Sequence, residues 1–195
     1  MNVTPQTVFV ATRATLTDPR TAARQVMALD LSQTEGLMAL GVTATAATLL
    51  TAAMGMFLGP AMDPAMQALF DRPFLLAISQ FAVMVTGAFL MFRVGRAFGG
   101  TGTFAQALSL VAWLEVVLIL LQLVEVLALL LLPVLTTLIS LGSVFVFFYL
   151  LTHFTAALNG FTALTKTFFA ILGTFVVVLL VVSIVLVFFI PVPHV

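Results

Sequence analysis

The stretch Ala112–Pro133, AWLEVVLILLQLVEVLALLLLP, decides the fold of this chain. It is an almost unbroken apolar run, long enough at about 1.5 Å per residue to cross the roughly 30 Å of hydrocarbon in a bilayer. Yet it holds Glu115, Gln122 and Glu125. Because a charged side chain in lipid is costly, the stretch predicts a membrane span whose acids need an explanation.

Composition supports a membrane protein. Of the 195 residues, 63% are hydrophobic and 7% are charged, whereas a soluble domain has roughly 45–50% apolar and about a quarter charged residues. The net charge of zero excludes the basic field typical of nucleic-acid binding. The absence of cysteine excludes disulfides, thiolate metal sites and cysteine nucleophiles.

Charged residues divide the rest of the chain into similar apolar runs. We predict an all-α integral membrane bundle of five transmembrane helices, because the runs are too long for barrel strands and lipid leaves open sheet edges unpaired. Residues 1–35 form a short amphipathic N-terminal arm, and residues 36–195 form the membrane domain. The predicted spans cover about residues 36–59, 73–93, 105–130, 134–158 and 164–190.

Basic residues fall on alternate sides of these spans. Six of the seven lie on the side of the N-terminus, and only Arg72 lies on the other. The positive-inside rule therefore predicts a cytoplasmic N-terminus and an outside C-terminus. The candidates for cytoplasmic contacts are Arg20, Arg24, Arg93, Arg96, His153 and Lys166.

The N-terminal arm contains two helix starts. Thr4 and Asp18 each precede a proline, as a capping residue precedes the first helical position. The second helix has a small apolar arc opposite its arginines. This pattern fits either an interfacial helix on the cytoplasmic leaflet or a short helix packed on the bundle.

The first span carries small residues at alternating steps of three and four, and Gly55 and Gly59 form a GxxxG pair. Small residues let helices approach closely in lipid. We favour packing within the bundle over a dimer interface. The predicted helix-packing stripe is Gly41, Thr45, Thr48, Ala52, Gly55 and Gly59.

Glu115 lies near mid-membrane, whereas Glu125 is nearer the outer interface. With a turn near Leu132, depth matching predicts an intramembrane polar seam, in which Glu115 is level with Tyr149 and Gln122 with Ser143. Gln80, Thr86 and Thr48 lie near the depth of Glu115. The carboxyl either binds a proton or substrate or, as we favour, hydrogen-bonds neighbouring helices. The seam consists of Glu115, Gln122, Ser140, Ser143 and Tyr149.

Enzyme and cofactor signatures are missing. The glycines of GRAFGGTGT have phosphate-loop spacing, but the lysine and the preceding strand are absent, so we predict a flexible turn and no nucleotide. There is no HExxH, and the two histidines are predicted on opposite faces of the membrane, so no metal is expected.

Three stretches carry a family resemblance: LTDPRTAARQVMALDL, GGTGTFAQALSLVAW and THFTAALNGFTAL. With them the chain resembles a bacterial member of the YIP family (Ypt/Rab-interacting proteins). The resemblance implies a five-span domain with a cytoplasmic N-terminus and the short C-terminus outside. We expect the protein to be integral to the bacterial cytoplasmic (inner) membrane. Eukaryotic relatives bind prenylated Rab GTPases, a partner that a bacterium does not supply.

Two functions fit these observations. The first is a non-enzymatic scaffold that acts through the lipid bilayer, other membrane proteins or copies of itself. The alternative is a small transporter or channel component that uses Glu115.

Overall fold

The computed structural model describes residues 4–58 and 72–189, and within these ranges all regular secondary structure is helical. Within these described ranges, five helices are long and apolar enough to cross a membrane, which confirms the predicted all-α, five-span class. In chain order the helices are α1 (Pro5–Thr17), α2 (Pro19–Met27), α3 (Gln33–Leu58), α4 (Pro73–Ala97), α5 (Phe104–Leu131), α6 (Pro133–Asn159) and α7 (Leu164–Phe189).

Local sequence signals set several helix ends. Thr4 caps α1, and Asp18 caps α2 by accepting the Thr21 N–H at 3.1 Å, as the sequence predicted. The predicted stop at Asn159 is also present, because Gly160 has a left-handed φ of 72°. The arm, the α6–α7 loop and the first half of α5 lie at the same end of the bundle, where Arg20 contacts Phe161 and Trp113 contacts Thr15.

Helix α5 is the centre of the bundle. It packs against α3, α4 and α6, and α2 lies against its first half. The most deeply buried large side chains include Leu108, Val117, Leu150 and Phe154. Because α5 and α6 are antiparallel, these four residues lie in the same half of the bundle, where α5 begins and α6 ends.

This end of the bundle is also the basic end, a name used below for the arm, the α4–α5 loop and the α6–α7 loop. Together with the adjoining ends of α4 and α7, it holds six of the seven Lys and Arg residues, and Arg72 precedes α4 at the opposite, far end. Assignment of the basic end to the cytoplasm stays a prediction.

The N-terminal arm packs on the bundle. Helix α2 contacts α6 and α5, and the side chains of Thr15 and Ala23 are fully buried. The structure therefore shows α2 packed on the bundle, and contact of this helix with the cytoplasmic leaflet stays a prediction.

Candidate functional site

A buried asparagine holds the basic end together. Asn159, 3% exposed, ends α6, and its Nδ2 donates to the carbonyl oxygens of Thr155 at 3.0 Å and Met91 at 3.4 Å. Its side chain lies against Gly95 and Gly100, where any Cβ would overlap it. We call these three residues, Gly95, Gly100 and Asn159, the Asn159 clasp.

The Asn159 clasp corrects the prediction of a flexible turn in GRAFGGTGT. Gly95, Gly100 and Gly102 are all buried, and a Cβ at Gly102 would overlap Leu158. Glycine is needed here for close approach of the backbone to another helix. A glycine-rich composition predicts a flexible backbone, but in the structure these glycines allow the backbone to contact Leu158 and Asn159 of α6 closely.

Three long-range hydrogen bonds, from two donor side chains, hold the arm on the bundle. The Trp113 indole Nε1 on α5 donates to Thr15 Oγ1 at 3.0 Å. Arg20 Nη2 donates to the carbonyl oxygens of Phe161 at 3.1 Å and Thr162 at 3.5 Å, in the α6–α7 loop. Arg20, predicted as a contact for partners, therefore has an internal role.

Four of the other predicted cytoplasmic contacts are exposed: Arg24, Arg93, Arg96 and Lys166. The Arg96 guanidinium lies 5.9 Å from the centre of the Phe92 ring, a cation–π contact that positions its charge. These side chains give the basic end a positive surface.

Glu115 is hydrogen-bonded to the neighbouring span. Its Oε1 accepts from Gln80 Nε2 on α4 at 3.0 Å. A carboxyl paired with an amide links two helices without an opposite charge. Gln80 is one of several groups that depth matching places near Glu115, and in the structure Gln80 is the one that donates a hydrogen bond to it.

The other two polar groups of α5 bind different helices. Gln122 Nε2 donates to Thr51 Oγ1 on α3 at 2.9 Å, and Ser143 Oγ on α6 donates to Glu125 at 2.5 Å. Depth matching had placed Ser143 level with Gln122. Side chains point toward the N-terminus of their own helix, so contacts between antiparallel helices are displaced from residues at equal depth.

The remaining members of the predicted polar seam lie elsewhere. Tyr149 is 41% exposed and packs on His153, with ring centroids 4.4 Å apart, and His153 Nδ1 lies 2.8 Å from the Tyr149 carbonyl oxygen. Ser140 is half-buried. In place of one seam, the structure has separate interhelical pairs that join α5 to α4, α3 and α6.

The predicted small-residue stripe of α3 lies at the edge of its buried face. Thr48 is buried, but Thr45 is exposed and a Cβ at Gly41 would meet no atom within 4 Å. Ala52 and Gly55 are half-buried, and Gly59 lies outside the described residues. The face that enters the bundle is rotated by about 100°, one residue step. It consists of Gly36, Leu40, Thr43, Ala44, Ala47 and Thr48.

No three His, Cys, Asp or Glu side chains within residues 4–58 and 72–189 lie together as a metal site would require. The described residues thus offer helix–helix pairing inside the bundle and a positive surface at one end.

Comparison with known proteins identifies the family. The family model described as the Yip1 domain matches residues 13–186. No curated protein and no solved structure gives a match. Because the family model covers most of the chain, the chain belongs to the YIP family of multi-pass membrane proteins.

Proposed function

We propose that this protein is a non-enzymatic membrane scaffold that binds partner proteins, or further copies of itself, at its basic end. The observation that carries the proposal is the exposure of Arg24, Arg93, Arg96 and Lys166 on the one end where the arm and both loops are fastened. We place this end on the cytoplasmic side of a bacterial inner membrane, as the charge asymmetry favours.

The chemistry of these groups indicates the kind of surface they bind. Three of the four are arginines, whose planar guanidinium donates paired hydrogen bonds to carboxylates. Because hydrogen bonds already hold the arm and the α6–α7 loop in place, less conformational entropy is lost when a partner binds. An acidic patch on a membrane protein is therefore the expected partner.

The interior supports assembly over transport. Glu115, Gln122 and Glu125 each have a hydrogen-bond partner on another helix. Intramembrane acids of transporters typically face water or one another. The transporter alternative rests on one observation, that Glu115 also lines a cavity.

Site-specific photocrosslinking in native membranes tests the scaffold. A photoreactive amino acid replaces Arg93 or Lys166 at the basic end, and Val134, 88% exposed at the far end, serves as the control. We expect discrete protein adducts from the basic end, and their loss when Arg24 and Arg96 are changed to Gln. Adducts equal in yield at Val134, or no adducts from Arg93 and Lys166, would refute the proposal.

A further inference from the structure

A large cavity separates two of the spans. It has a volume of about 980 Å³ and is bounded by α4, α5, α6 and α7. Helices α4 and α7 line it without packing closely on each other. The cavity is therefore open sideways toward the bilayer.

The walls of the cavity offer apolar surface even where the lining residues are polar. Thr167 and Thr174 on α7 donate their hydroxyls to the carbonyl oxygens of Ala163 and Ala170 on their own helix, at 3.1 and 2.8 Å. Glu115 is paired with Gln80, and most other lining residues are aliphatic or aromatic. Such a surface matches a hydrocarbon chain better than water.

The length of the cavity fits a lipid chain. On α7 the lining runs from Lys166 to Val182, about 24 Å at 1.5 Å per residue. This exceeds the depth of one leaflet, roughly 15 Å of a 30 Å hydrocarbon core. An acyl chain that enters at the basic end therefore lies along the wall for its whole length.

The mouth of the cavity carries a positive charge. Lys166, in the first turn of α7, is exposed and lines the mouth together with the α6–α7 loop residues Gly160, Phe161 and Thr162. An ammonium at the membrane surface attracts an anionic headgroup. The acid of the lining, Glu115, lies deeper, about two fifths of the way along α5.

From these features we infer that the cavity is a binding site for one anionic phospholipid, with an acyl chain between α4 and α7 and its phosphate at Lys166. A long apolar groove that ends in a cation at headgroup depth is complementary to an amphiphile of this kind. The bound lipid fills the gap between α4 and α7, a role beyond partner binding at the basic end.

Native mass spectrometry of the delipidated full-length protein tests the inference, with dioleoylphosphatidylglycerol and dioleoylphosphatidylcholine as probes. Gly87 lines the cavity and Gly142 does not, and at both a Cβ would meet no atom within 4 Å. Gly87→Phe fills the groove, and Gly142→Phe is the matched control. Ala82→Phe, also on the lining, replaces Gly87→Phe if that variant does not fold.

We expect one phosphatidylglycerol adduct, bound about fivefold more tightly than phosphatidylcholine because of a single lysine. Gly87→Phe should weaken the adduct about tenfold or more, and Gly142→Phe should not. Lys166→Gln should remove the preference for phosphatidylglycerol, whereas Arg93→Gln should keep it. Equal lipid binding by Gly87→Phe and Gly142→Phe, no preference between the lipids, or a protein dimer in place of the adduct would overturn the inference.

Discussion

Because Gly95 lies against Asn159 in the Asn159 clasp, we expect Gly95→Ala to destabilise the protein, although it adds only one methyl group to a helix. In an unobstructed helix interior, Gly to Ala stabilises by about 0.5–1 kcal/mol. At Gly95, however, the new Cβ would overlap the carboxamide of Asn159, which is buried and hydrogen-bonded. Overpacking of this kind costs about 1–3 kcal/mol. The net result is a loss of about 1–2 kcal/mol in the free energy of unfolding.

The Asn159→Ala background should reverse the sign. The atoms nearest a Cβ at Gly95 are the carboxamide Oδ1, Nδ2 and Cγ of Asn159, all of which this change removes. Asn159→Ala itself loses two hydrogen bonds, about 0.5–1.5 kcal/mol each. In that background Gly95→Ala should stabilise by about 0.5–1 kcal/mol. A Cβ at Gly100 would also overlap the Cβ of Asn159, which remains in Asn159→Ala. The Asn159→Ala background should therefore reduce the destabilisation by Gly100→Ala only in part.

Equilibrium unfolding in mixed micelles measures these effects, with the fluorescence of Trp113, the single tryptophan, as the signal. Gly142→Ala is the control, because a Cβ there meets no atom within 4 Å. It should be neutral or slightly stabilising. If Gly95→Ala has the same effect with and without Asn159→Ala, the two residues are not coupled and the reasoning fails.

Three further tests concern the fastening of the arm, the pairing of two spans and the cap of α2. Thr15→Val leaves the Trp113 N–H without its acceptor, so the arm should loosen by about 1–2 kcal/mol and be cleaved faster by protease; unchanged cleavage would contradict the contact. Gln80→Leu should cost about 0.6–1.7 kcal/mol of unfolding free energy, whereas Glu115→Gln, which keeps the hydrogen bond, should change it by less than about 0.5 kcal/mol; equal losses would count against the pair. Hydrogen bonds from the side chain and backbone of Thr21 lower the pKa of Asp18 below its ordinary 3.8. The charged cap therefore stabilises α2 above that pH, and it does so less as the pH falls through the lowered pKa. Between pH 6 and pH 2, the protection of the arm from protease should fall in the wild type but stay constant in Asp18→Asn.

The spans were predictable because each is a long apolar run with a physical signal at an end. Thr4, Asp18 and Gly160 act through neighbours in sequence, so the sequence alone specifies their caps. The depth of a residue in the membrane also follows from its position along its own helix, and depth matching placed Gln80 near the depth of Glu115. These features depend on residue spacing and not on how helices are arranged.

The contacts between helices were not predictable in the same way. Sequence order does not fix which spans are neighbours or how each is rotated, so the stripe of α3 was placed about 100° from its buried face. Gly95 and Asn159 are far apart in the chain, and nothing local to either indicates the other. The glycine-rich turn and the Asn-Gly helix end are each visible in the sequence, but only the structure shows that they are in contact.

On the proposed function, the spans are a paired support that excludes water, and they give no path for a solute. The chain has no cysteine, so single thiols can be introduced at Thr86 and Thr174 in the cavity and at Thr162 in its mouth. A charged thiosulfonate reagent, applied to each side of sealed vesicles, labels only thiols that reach water, where the thiolate forms. The account predicts labelling of Thr162→Cys and none of Thr86→Cys or Thr174→Cys. Rapid labelling of the two cavity thiols would show water beside Glu115 and would move transport ahead of the scaffold.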